Sequence, residues 1–343
     1  MIPQEELVFF KEKLKSSVRP LFFFDDDCDG VSSFVQLYNL VGDGKGVMVK
    51  GKPLIDENFY RYVEEYQPDV VFILDKPLVS QDFLDKISVD VLWLDHHPLQ
   101  DNKKVKYFNP RKLNPEDNTP TSYWAYQIAE LENKGCLWLA MLGIIADWNL
   151  SLKEDFCKSY PNLLSCEVDK PEDALFNSEM GKLIKIINFN LKGKTSDAMK
   201  SVKILTRIKE PEDILEQRTS QGKFIFKKYL KINDDFEKIK SSINNEDPNF
   251  LVFTYNTGQL SVTTDLANEL LYENPNKIII IGRSNDENIM MSIRSSEKKI
   301  VDVVSDTAER LGGYGGGHDT ACGACVPNDR FEEFVNHLKE EFS

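Results

Sequence analysis

The sequence predicts a two-domain α/β protein: a parallel-sheet N-terminal domain with helices on both faces, a helical connector, and a smaller α/β C-terminal domain. Three observations point there. Apolar, strand-like runs alternate with helical segments in the first half of the chain, the pattern of a parallel sheet. A charge-laced helical stretch follows. A second alternating block then opens near Asn249. The expected division is residues 1–160, 161–247 and 248–343.

Taken in order, the amphipathic opening MIPQEELVFFKEKLKSS is a helix, and RPLFFF is a buried strand. The helical pattern VSSFVQLYNLVG, the strand GVMVK, a polar helix around residues 57–65 and the strand VVFILD (70–75) follow. Next come a helix at 81–86 and the strands VDVLWLD (89–95) and VKYFN (105–109). From Thr121 the pattern is helical: SYWAYQIAELE, then LWLAMLGIIADWN. Residues 151–245 read as irregular at first, then helical with a solvated charged face, as in SQGKFIFKKYLKINDDFEKIKSSI. The second block reads as strand FLVFTY, strand or turn TGQLSV, helix TDLANELLYE, strands KIIIIGR and NIMMSIRS, helix VDVVSDTAERLG, the loop GGYGGGH, strand TACGACV and a closing helix.

At 343 residues the chain suits two domains, and 41% hydrophobic content suffices for real cores. A net charge of −14 argues against wholesale binding to duplex nucleic acid through a basic surface, while leaving room for a local basic groove. The cysteines, at 28, 136, 157, 166, 322 and 325, are too scattered for a disulfide framework. No apolar run approaches membrane-spanning length and the N-terminus lacks signal-peptide character, so a cytoplasmic protein without membrane contact is expected.

The chemistry concentrates where strands end. Phe22-Phe23-Phe24 runs into Asp25-Asp26-Asp27-Cys28-Asp29-Gly30. An extended backbone there would place Asp25, Asp27 and Asp29 on one side, a repulsive arrangement that a divalent cation relieves. Asp75 and Asp95 end two further strands, and ligands in open parallel sheets bind beyond the carboxyl ends of the strands. His96 and His97 follow Asp95 and suit metal ligation, with the carboxylate orienting an imidazole. Asp147 closes an almost wholly apolar helix, an unusual place for a carboxylate without a partner. In the second block, Gly312, Gly313, Gly315, Gly316 and Gly317 precede His318 and exceed what a helix cap needs. Such a run lets backbone N–H groups approach an anion, and Arg294 could add a guanidinium. Cys322-Gly-Ala-Cys325 has no second pair to complete a zinc site and reads as packing.

Together, Asp25-x-Asp27-x-Asp29-Gly30, Leu74-Asp75, Asp95-His96-His97, Asp147 and Gly315-Gly316-Gly317-His318, in that order, resemble the DHH phosphoesterase superfamily with its DHH-associated C-terminal domain. The resemblance covers both ends of the chain and leaves the connector unassigned. It implies two Mn²⁺ ions, with Mg²⁺ as the alternative: one held by Asp25, Asp27 and Asp75, the other by Asp29, Asp75, His96 and Asp147, Asp75 bridging. A hydroxide between them would attack phosphorus in line. His97 would contact the scissile phosphate, oriented by Asp95. Arg294, Gly315, Gly316, Gly317 and His318 would hold the substrate's phosphate or terminal nucleotide, with the active site in the interdomain cleft.

Small-substrate members carry a histidine four residues before the first Asp of Asp-x-Asp; here that position is Phe23, which favours the RecJ-like exonuclease branch. The expected substrates are therefore single-stranded RNA or DNA ends and short oligonucleotides. Rival readings are a small-substrate phosphoesterase, acting on a cyclic dinucleotide or 3′-phosphoadenosine 5′-phosphate, and a catalytically inactive module of a replication complex. Replication or repair proteins and a second copy of the chain are the further partners to consider.

Overall fold

The chain, seen in a computed structural model that describes residues 1–244, 246–256, 261–285 and 287–342, divides into two units, Met1–Tyr229 and Leu230–Ser343. In the first, α1 (Gln4–Ser16) leads into β1 (Pro20–Asp25), α2 (Cys28–Val41) and β2 (Lys45–Val49). The short β3 (Leu54–Ile55), α3 (Tyr60–Tyr66), β4 (Val70–Leu74), β5 (Leu78–Val79), α4 (Gln81–Lys86), β6 (Asp90–Leu94) and β7 (Lys106–Phe108) complete the alternating part.

Five strands form one parallel sheet in the order β2-β1-β4-β6-β7. Alternation sorts its side chains into two cores. Phe22, Phe24, Phe72, Leu74, Leu92 and Leu94 pack on the face covered by α1 and α2, and α5 (Thr121–Glu130) and α6 (Leu137–Ala146) join the same core by packing on α2. Leu21, Phe23, Val71, Ile73, Val91 and Trp93 pack on the other, against Val63, Phe83 and Leu84 of α3 and α4. The strand order bears on function. After β1 the chain moves to one side to form β2, then returns to β1's other side to form β4. The β1–β4 boundary is thus a switch point, where a crevice opens beyond the carboxyl ends of the strands.

The later helices are α7 (Lys153–Ser159), α8 (Pro171–Asn177), α9 (Glu179–Leu191), α10 (Thr195–Leu205), α11 (Glu212–Leu215) and α12 (Ser220–Ser241). Met180, Leu183, Ile187, Val202 and Ile225 from this region share a core with Phe22 and Leu142, so residues 161–229 are packed into the first unit. Cys157 and Cys166 form a disulfide, a local pairing across nine residues that the scattered cysteine spacing did not suggest.

In the second unit, β8 (Phe250–Asn256), α13 (Thr263–Glu273), β9 (Ile278–Ser284), β10 (Asn288–Arg294), α14 (Val301–Arg310), β11 (Tyr314–His318), β12 (Ala321–Pro327) and α15 (Phe331–Phe342) build a sheet of order β11-β12-β10-β9-β8. Only β8–β9 is parallel. Most of the expected strand or turn TGQLSV lies outside the described residues. The glycine run differs from expectation: it is an edge strand, not a loop. A Cβ on Gly313 would lie 1.9 Å from the Cys325 carbonyl oxygen, and one on Gly317, at φ 144°, 2.4 Å from that of Ala321. Close strand approach therefore accounts for these two glycines. Among the described residues, no helix is long and apolar enough to cross a membrane.

Candidate metal centre

The carboxylates meet at the switch point because the sheet's ladder carries on past the strand ends. Asp75 N–H donates to the Leu94 carbonyl (2.9 Å), and Asp95 N–H to that of Phe108 (3.0 Å). Asp75 takes φ 57°, a left-handed conformation that costs a non-glycine residue free energy and gathers at functional sites.

Asp25, Asp27 and Asp29 do not share one extended side. Asp27 instead caps α2, accepting the Gly30 N–H at 2.9 Å, so the helix starts at Cys28 and Asp29 lies in its first turn. Asp29 is buried, and the first two N–H groups of α5, from Thr121 (2.8 Å) and Ser122 (2.9 Å), donate to its two oxygens. A helix N-terminus favours such a negative group. The approach depends on Gly143 of α6, where a Cβ would lie 2.8 Å from Asp29 Oδ1 and 2.4 Å from Ser122 Oγ.

His96 joins the later carboxylates. Its Nε2 lies 3.4 Å from Asp75 Oδ1 and 3.5 Å from Asp147 Oδ2, while its Nδ1 faces the Asn118 carbonyl at 3.2 Å. A proton on Nδ1 donated to that carbonyl leaves the Nε2 lone pair aimed at the carboxylates, the tautomer a metal needs. Ligand atoms of Asp29, His96 and Asp147 lie within 4.8 Å of one another, as do those of Asp75, His96 and His97. Hard carboxylate oxygens plus one imidazole suit Mn²⁺ or Mg²⁺, so these residues fit the ion that the family resemblance implies.

The electrostatics of the metal-free protein agree. Burial pushes Asp29 upward, and the charges of Asp75 and Asp147 add to it. Burial raises Asp147 to about 6 despite the opposing charge of His96. Burial would raise Asp75 too, but the hydrogen bond and charge of His96 outweigh it and hold Asp75 below the usual carboxylate range. Burial would lower His96, yet the bond to Asp75 and the surrounding carboxylates drive it up to about 11. A proton on His96 thus neutralises the site where a cation would otherwise do so.

Asp95 orients His97. It is fully buried and accepts from His97 Nδ1 (2.7 Å), His97 N–H (3.1 Å), Tyr107 Oη (2.7 Å) and Asn109 Nδ2 (3.3 Å). Tyr107, Asn109, Asn118, Thr121 and Ser122 were not singled out from sequence; the only local hint was a polar cluster preceding an apolar helix. Trp148, directly after Asp147, also takes a left-handed conformation (φ 55°) and is 45% exposed. A separate cavity of about 550 Å³ is lined by Leu163, Phe176, Asn177 and Lys182, and none of the site carboxylates line it.

Asp25 lies apart from both convergent groups. Its Oδ1 is 3.0 Å from the ammonium of Lys76, a fully buried residue that the sequence pattern does not mark out. Burial raises Asp25 to about 7 even with Lys76 pulling it down. Asp27 is exposed as a residue, but the protein around its carboxylate desolvates it, and the charges of Asp75, Asp25 and Asp29 raise it further.

In the second unit, Arg294 is held by Asn268 Oδ1 (2.7 Å from Nε) and by the carbonyls of Ile293 (2.9 Å) and Cys322 (3.1 Å). Gly315, Gly316, Gly317 and His318 lie on edge strand β11, with His318 exposed.

Residues 247–343 match the DHHA1 domain family. Over nearly its whole length the chain superposes on manganese-bound RecJ of Thermus thermophilus, with a TM-score of 0.66 at 14% identity over 98% of this chain and 54% of that one. The chain has a RecJ-like fold. It spans about half the length of that Thermus RecJ. A second RecJ exonuclease bound to manganese gives a TM-score of 0.65 at 15% identity, covering 99% of this chain and 94% of that one. CDC45 of Entamoeba histolytica gives 0.55 at 12% identity, covering 98% of each chain. No curated protein matches the chain in sequence.

Proposed function

We propose that the chain is a metal-dependent phosphoester hydrolase that releases nucleoside monophosphates from single-stranded nucleic acid ends or short oligonucleotides. The observation that carries this reading is the convergence of Asp29, Asp75, His96 and Asp147, drawn from four separate elements, at the switch point of the sheet. A bound Mn²⁺ or Mg²⁺ supplies an activated water at neutral pH and offsets charge on the phosphoryl oxygens. The chain's own residues do the rest. Asp29, Asp75 and Asp147 provide hard oxygens, and His96 presents Nε2 in the tautomer fixed by Asn118. His97, held by Asp95, offers its outer nitrogen to a phosphate oxygen. Burial alone would favour neutral His97, but the Asp95 hydrogen bond and charge raise it above its ordinary value and so favour the form that donates to a phosphate oxygen. Arg294, Gly315, Gly316, Gly317 and His318 are proposed to bind the substrate's nucleotide.

Phe23 favours oligonucleotides over small diesters. It is fully buried among Phe59, Tyr62 and Phe83, at the position where small-substrate relatives are expected to carry a histidine. The test is end-labelled single-stranded RNA and DNA incubated with Mn²⁺, beside a cyclic dinucleotide and 3′-phosphoadenosine 5′-phosphate. A ladder of shortened products supports the reading. Exclusive turnover of a small substrate overturns the substrate assignment, and no hydrolysis of any substrate returns the inactive-module alternative.

A further inference from the structure

The acidic cluster has two halves that differ in what neutralises them. Asp75 and Asp147 form ion pairs with histidines alone among the described residues. Asp25 and Asp26 are paired with lysines: Asp25 with Lys76 at 3.0 Å, Asp26 with Lys50 at 3.6 Å. Lys76 follows Asp75 directly, is fully buried, and also donates to the Lys52 carbonyl at 2.7 Å. Its own carbonyl accepts from Trp93 Nε1 at 3.0 Å, which fixes the backbone beneath it.

We propose that the ammonium of Lys76 is a built-in cation standing in for the first of the two expected ions, so that the chain holds one divalent metal, at Asp29, Asp75, His96 and Asp147. The inference rests on the metal-dependent reading above. Three observations independent of charge state carry it. Asp25 Oδ1, already paired with Lys76, also accepts the Asp26 N–H at 2.7 Å. Neither Asp25 nor Asp27 belongs to a group of ligand atoms close enough to share an ion among the described residues. Asp25 also lies two residues beyond Phe23 on β1, in step with the face that packs against α3 and α4.

The physical reason is exclusion. A lysine ammonium has three donors and no lone pair, so it cannot join a coordination sphere. A divalent ion sharing Asp25 with it would face a like charge in a poorly solvated pocket, and a buried ammonium cannot leave without losing its partner. Histidine differs, because it surrenders a proton and becomes a ligand.

Metal stoichiometry tests this directly. The full-length protein is stripped with chelator and titrated with Mn²⁺ by calorimetry, with electron paramagnetic resonance on the loaded sample. One Mn²⁺ per chain with an uncoupled mononuclear spectrum is expected. Lys76→Met, which keeps the aliphatic stem and removes the charge, should bind a second ion, while Lys76→Arg should stay at one. Two ions with a spin-coupled spectrum in the unaltered protein overturn the inference and leave the metal-dependent reading standing. A single ion in folded Lys76→Met overturns the role given to Lys76. No binding at all overturns the metal-dependent reading itself. Should Lys76→Met fail to fold, the unaltered protein's stoichiometry still decides.

Discussion

The lysine-paired half of the acidic cluster, at the end of β1, and the histidine-paired half, just after β4 and at the end of α6, are chemically unlike. Around Asp25 and Asp26 the counter-charge is fixed in the polypeptide. Around Asp75 and Asp147 it is a proton that can be exchanged for a metal. A row of aspartates is therefore not one site but two environments, separated by which cation the neighbouring backbone delivers.

That contrast can be broken most directly at its strong side. His96→Ala or Asp75→Ala should lower Mn²⁺ affinity and oligonucleotide hydrolysis by more than about 100-fold, beyond the usual effect of residues that merely orient ligands. Calorimetry and a labelled-oligonucleotide assay measure it, and full activity of either folded variant would sink the site assignment.

On the lysine side, the effect should move from metal to stability. At pH 8, above the Asp25 value of about 7, Asp25→Asn leaves a buried ammonium without its carboxylate and should cost about 3 kcal/mol in urea unfolding, with Mn²⁺ affinity changed by less than about tenfold. Loss of metal binding with stability intact would reverse the comparison. Gly143→Ala should cost about 1–3 kcal/mol, because a methyl group there collides with Ser122 and Asp29, and a melt identical to the parent's would show that the contact relaxes freely.

The pH dependence should distinguish free from loaded protein. Asp25 and Asp147, raised from 3.8 to about 7 and about 6, hold protons in the folded state that the unfolded chain has already lost. Between those values the folded state binds more protons, so stability falls as pH rises. His96, raised from 6.5 to about 11, continues the fall above pH 6.5. Asp75, held below its ordinary value, contributes a constant amount across this window. Metal-free protein should therefore melt at a higher temperature at pH 5 than at pH 8, while Mn²⁺ affinity should rise over the same interval as protons leave the ligands. Scanning calorimetry with and without Mn²⁺ gives both slopes, and parallel slopes would argue against proton–metal exchange. The smallest effect should come from Asp27→Asn, which keeps a good helix cap: less than about 0.5 kcal/mol and little change in metal affinity. A large loss of metal binding there would favour a two-ion centre.

Much of this was legible in the sequence, for reasons visible in particular residues. The strands of the first unit were readable because both faces of the sheet are buried, which turns them into unbroken apolar runs such as VVFIL. Asp75, His96 and Asp147 were legible as strand-end or helix-end polar groups in apolar surroundings. The backbone turn at Asp27 was not, since period-2 alternation cannot show where an aspartate will stop a strand and cap a helix. Nor was Lys76, because a lysine beside an aspartate reads as surface charge until its burial is known. The strand in the glycine run was also hidden, because glycines that permit close strand approach, as at Gly313 and Gly317, look in sequence like those of a loop.

Trp148 gives the molecule an optical property. The other three tryptophans, Trp93, Trp124 and Trp138, are 0%, 4% and 1% exposed, whereas Trp148 is 45% exposed and directly follows Asp147. Its indole should dominate the red, solvent-relaxed edge of the emission. A paramagnetic Mn²⁺ arriving at Asp147 should dim that edge and leave the blue component nearly untouched, so the intrinsic fluorescence can count metal binding without a label.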